Sequence, residues 1–82
     1  MIDIELHNMT YEEFITRLWK DVSQCPKNWR KGQSVFNVID ENWGVARAVQ
    51  FEDNVDCFYD DNSIDLFIDK AWIRIHQLET QA

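Results

Sequence analysis

Apolar residues fall along this chain in helical stripes and in one alternating run, and their spacing predicts the elements. Phe14, Leu18 and Val22 recur every fourth residue with Ile15 and Trp19 widening the band, so a helix over residues 11–24 presents one apolar face. Its start is written in Thr10-Tyr11-Glu12-Glu13. There Thr10 can accept from the Glu13 amide while Glu13 reaches back to the Thr10 amide, and Met9 and Phe14 hold the positions of a hydrophobic staple. Pro26 stops this helix, because the residue before a proline is driven out of the α region.

Trp29, Gly32, Phe36, Ile39 and Trp43 alternate spacings of three and four. They predict a second helix over residues 29–42 with its seam turned toward a partner helix. Gly32 on that seam lets another element come close, at about 1 kcal/mol of helix propensity. Gly44 is the expected left-handed cap. Residues 45–51 suit a short third helix with Val45, Ala48 and Val49 on one face, and residues 52–61 break the pattern as a loop. Asp61 or Asn62 should cap the last helix, where Ile64, Phe67, Ile68, Ala71, Ile75 and Leu78 form the stripe. Residues 79–82 are expected to fray. Residues 1–8 set Ile2, Ile4 and Leu6 against Asp3, Glu5 and His7, the period of a half-buried strand. Its partner is residues 45–51, the segment around Cys57, or a second copy. The expected fold is mainly α, a compact bundle of three main helices plus one short helix, to which the short N-terminal strand would be added.

Composition limits what such a fold can be. Eighty-two residues hold one core, so residues 1–82 are a single small helical domain. Four Trp, five Phe and two Tyr supply the burial that so short a chain needs, at about 1.5 to 3 kcal/mol for each large side chain fully buried. A net charge of -7 repels phosphate backbones and anionic membranes, which argues against direct nucleic-acid or membrane binding. No apolar run is long enough to span a bilayer, and the first residues lack the basic and apolar segments of a signal peptide, so a cytoplasmic location is expected. Cys25 and Cys57 have no metal-type spacing and read as reduced thiols in or near the core.

Candidate chemistry is sparse. Glu52, Asp53, Asp56, Asp60, Asp61, Asp65 and Asp69 precede the next base, Lys70. They lack the central Gly and final Glu of an EF-hand loop, so a solvated acidic segment is expected and no metal. His7 and His76 sit near the chain ends, and neither a glycine-rich phosphate loop nor a nucleophile elbow is present. No cofactor and no catalytic residue are expected. Lys27, Arg30 and Lys31 flank Trp29; gripping a phosphate is one reading of them, and pairing with the chain's own carboxylates, Arg30 with Asp60 or Asp61, is the favoured one. Trp29, Arg30, Gln33 and Asn37 make a structural polar motif beside Phe36, expected to hold the backbone of residues 56–61 rather than an external ligand.

Trp29-Arg30-Lys31-Gly32-Gln33-Ser34-Val35-Phe36-Asn37 and the later Asp56-Cys57-Phe58-Tyr59-Asp60-Asp61-Asn62-Ser63-Ile64 resemble a pattern in short uncharacterised proteins of bacteria and their phages. Those proteins share W-R-x-G-Q-x-x-F-N followed by D-x-F-Y-D-D-x-x-I. The resemblance spans residues 11–67 and implies a compact helical fold without implying an activity. From the residues themselves, the expected function is that of an acidic accessory or regulatory module docking on a basic protein partner. Asp53, Asp56, Phe58, Tyr59, Asp60 and Asp61 are the expected binding residues. The alternatives are a mimic of nucleic-acid charge that inhibits a DNA-binding protein, and a small enzyme.

Overall fold

Thr10 opens the first helix as its side chain requires. Its amide donates to Glu13 Oε1 at 2.8 Å and its hydroxyl accepts the Glu13 amide at 3.1 Å, a complete capping box. The computed structural model describes residues 9–81, and the four helices are α1 (Tyr11–Val22), α2 (Lys31–Trp43), α3 (Ala46–Glu52) and α4 (Ile64–Gln81). A single 3-10 turn, Asp61–Ser63, leads directly into α4. The strand expected over residues 1–8 lies outside the described residues, and among those described there is no strand.

Helix boundaries depart from expectation where local hydrogen bonds compete. α1 ends at Val22 rather than near residue 24, because the Ser23 hydroxyl donates to the Lys20 carbonyl at 2.6 Å. The amides of Gln24 and Cys25 then turn back three residues, to Asp21 and Val22. The chain has therefore left the helix before Pro26 acts. α2 begins two residues later than expected, since Trp29 belongs to a turn closed by its amide on the Pro26 carbonyl. Asp60, not Asp61 or Asn62, caps the start of the last helical segment: it accepts from the Asn62 amide at 3.0 Å and the Ser63 hydroxyl at 3.2 Å. The backbone of α4 stays helical to Gln81, past the point where fraying was expected.

α2 is the centre of the molecule and packs on α1, α3, α4 and the 3-10 turn. A single seam does not describe it, because Ser34, Val35 and Val38 are buried alongside Gly32, Phe36 and Ile39. A helix enclosed on several sides must be small or apolar on all of them. Phe14 and Leu18 from α1, Val49 from α3 and Phe67 from α4 close the core around Val35 and Ile39. Aromatic contacts extend it. Phe14 lies 4.8 Å from Trp43 and 5.3 Å from Trp72 between ring centres, and each such pair adds about 0.5 to 1.5 kcal/mol beyond area burial.

The C-terminus of α2 is finished by Gly44 at φ 70°, whose amide bonds to the Ile39 and Asp40 carbonyls. Just before it, Asn42 ties α2 to α1. Its side chain accepts from Arg17 Nε at 3.1 Å and donates to Asp21 at 3.0 Å. α3 ends at Glu52, and two residues on Asn54 takes φ 59°, a left-handed conformation that Asn tolerates better than most residues. The turn sends Val55 and Cys57 inward, and both are buried.

Candidate functional site

The loop over residues 53–60 is drawn down onto the start of α2. A methyl group at Gly32 would stand 1.9 Å from the Cys57 carbonyl oxygen, so only glycine admits this approach. α2 has no side-chain cap of its own at Arg30, and Asp61 supplies one from across the chain by accepting the Gly32 amide at 3.0 Å. The Cys57 thiol donates to the Gly32 carbonyl at 3.3 Å. Burial, with the negative charge of Asp56 as a lesser cause, pushes that thiol up to about 12. It is a packed side chain and not a nucleophile, since attack requires the thiolate.

Arg30 does reach the loop, by donating to the Phe58 carbonyl and placing its guanidinium 5.7 Å from the centre of the Tyr59 ring. Among the described residues it pairs with neither Asp60 nor Asp61, which corrects the ion pair expected from the sequence. Both carboxylates already serve as caps, and the loop offers Arg30 a carbonyl instead. Gln33 and Asn37 hold nothing in the loop: neither side chain makes a hydrogen bond to any described residue, and both residues are half-buried. Trp29 is half-buried in the turn before α2, and Lys31 covers Trp19 at 5.2 Å. The two sequence strings therefore meet through Arg30, Gly32, Cys57, Phe58 and Asp61. Phe36 on Phe58, at 5.5 Å and perpendicular, completes the contact.

The acidic stretch divides by task. Asp53 takes two hydrogen bonds from Arg74, at 2.9 and 3.1 Å, and Glu52 takes a third at 3.2 Å. Those bonds hold the Asp53 carboxyl below the usual carboxylate range, and they hold the Arg74 guanidinium still more firmly protonated. Asp56 accepts the Phe58 amide at 2.8 Å within a tight turn. The carboxylates of Asp65 and Asp69 make neither a hydrogen bond nor an ion pair with any described residue.

Beside these carboxylates, aromatic side chains are turned outward as well. Tyr59 is 74% exposed and Phe51 76%, and with Phe36, Phe58, Arg47 and Gln50 they line a groove of about 240 Å³. Sequence reasoning found Phe58 and Tyr59 but missed Phe51, Arg47 and Gln50. The available signal was the position of Phe51 away from Val45 and Val49, an apolar residue left without a core to enter; Ala46, and not the expected Ala48, is buried beside those two. No protein-family model, no curated protein and no solved structure matches this chain. Among the described residues no helix is long and apolar enough to cross a membrane, and no group of three or more His, Cys, Asp or Glu side chains is placed to hold a metal ion.

Proposed function

We propose that this protein is a docking module that binds a basic protein partner through the face formed by Phe51, Phe58 and Tyr59 with the carboxylates beside them. The observation that carries this reading is the exposure of Phe51 and Tyr59, three-quarters open to solvent next to a half-buried Phe58. Large aromatic side chains are enriched among the residues that dominate binding energy. Tyr59 is also held in place, by the Phe58 ring at 4.7 Å and by Arg30 above it, which lowers the entropy lost on binding. Glu52, Asp60 and Asp61 are exposed around this face, and the net charge of -7 draws in a positively charged partner. Arg47 within the groove makes the match more selective, since a uniformly basic surface would meet it unfavourably.

A mimic of nucleic-acid charge is less well supported. Such a protein needs carboxylates arrayed along one face, whereas Glu12 and Glu13 stand on α1, Glu41 on α2 and Asp65 on α4. The proposed face is tested by comparing what wild-type protein and a Phe51→Ser/Tyr59→Ser variant retain from a cell extract. Both residues are exposed, so the variant should melt like wild type and lose the bound protein. Retention of the same protein at the same yield would reject the face.

A further inference from the structure

A second surface lies between α1 and α4. Tyr11 on α1 meets Trp72 on α4 at 5.5 Å, while Trp19 at the other end of α1 is covered by Lys31, next to the glycine that Asp61 binds just before α4 starts. The two helices therefore run antiparallel. Between them is a groove of about 320 Å³, walled by Tyr11, Ile15 and Trp19 on one side and by Asp65, Ile68 and Asp69 on the other. It shares no lining residue with the Phe51 and Tyr59 groove. Ile15 and Trp19 are only half-buried there, so apolar surface is left uncovered along two turns of α1.

We propose that this groove receives a helical segment of a protein partner that carries an apolar stripe flanked by Lys or Arg at i and i+4. The shape favours a helix, because Tyr11, Ile15 and Trp19 form a ridge of every fourth residue against which the ridge of another helix packs. Charge sets the partner's chemistry. Asp65 and Asp69 are exposed, lack any partner among the described residues and repel each other one turn apart, about 6 Å along the axis. Cations one turn apart on the incoming helix match that spacing and relieve the repulsion. Lys31 closes the Trp19 end with positive charge, so it favours the C-terminal, negative end of the incoming helix dipole there and fixes its direction.

The probe is a synthetic helical peptide of Leu, Ala and Lys, with Lys at i and i+4 beside a Leu stripe, and its Lys→Glu counterpart is the control. Titration is followed by the indole N–H resonance of Trp19 and the methyl resonances of Ile15 and Ile68. The Lys peptide should shift these three residues and the Glu peptide should not. Asp65→Asn/Asp69→Asn should weaken binding about five- to tenfold, the loss of two exposed ion pairs, while Glu12→Gln/Glu41→Gln changes it less than about twofold. Phe51→Ser/Tyr59→Ser should bind as wild type, which separates this groove from the loop face. Equal losses from both acidic pairs would reduce the effect to net charge and overturn the proposal. Loss of binding in the Phe51/Tyr59 variant alone, or no shift at Trp19, would overturn it as well.

Discussion

The loop over residues 53–60 is fastened at both ends, by charge where it leaves α3 and by shape where it meets α2. At the first end Arg74 gathers Glu52 and Asp53, in a contact whose side chains keep access to solvent. At the second, the Cys57 carbonyl sits on Gly32 so closely that no side chain fits, and Arg30 and Asp61 add hydrogen bonds around it. Exposed ion pairs weaken with salt and vanish when the acid is protonated. A steric fit responds to neither. The aromatic face at Phe58 and Tyr59 follows directly after Cys57, so its geometry depends first on the end where steric fit holds the chain.

The largest effect is expected at Gly32. Gly32→Ala must displace a backbone carbonyl, and even after regaining about 1 kcal/mol of helix propensity it should cost about 2 to 3 kcal/mol. Chemical denaturation measures this, and a wild-type midpoint would mean that the loop does not lie on α2.

At the charged end the expected loss is smaller, about 1 kcal/mol for Asp53→Asn, and it should shrink in high salt. pH gives a second reading. Because Arg74 lowers the folded-state pKa of Asp53, the contribution is full above the ordinary carboxylate range and is lost as pH falls through the lower folded value. Acid melts of Asp53→Asn should therefore show a shallower decline than wild type. An unchanged acid limb would remove Asp53 from this role.

Arg30→Ala should cost about 1 kcal/mol through the lost bond to the Phe58 carbonyl and the lost contact with Tyr59, and it should speed amide exchange in the loop. Gln33→Ala, three residues away, should stay within about 0.5 kcal/mol of wild type and leave that exchange unaltered. Matching effects at the two positions would show that proximity to the loop, and not the hydrogen bond, is what counts.

Local features were legible in the sequence and borrowed ones were not. Thr10 and Glu13 cap each other three residues apart, and Gly44 ends the helix that it follows, so both could be read from short strings. The stripes of α1 and α4 were readable for the same reason. Asp61 caps a helix that begins thirty residues before it, and nothing near Gly32 in the sequence names that partner. The same distance hid Arg74 from Asp53 and Asn42 from Arg17. Gln33 and Asn37 are misleading because polar residues beside a seam are expected to bind the loop, whereas backbone contact at Gly32 already holds it. At the candidate site, Phe58 and Tyr59 were readable as aromatics inside an acidic run. Phe51 could have been read as well, from its place on α3 away from Val45 and Val49.

The burial of Cys57 gives the protein a built-in clock. Both cysteines are free, Cys25 half-open and Cys57 enclosed where the loop lies on α2, with its proton held tightly. An alkylating reagent should add one mass increment quickly at Cys25 and a second only when the loop lifts from α2. The lag between the two increments would time how often the aromatic face comes undone.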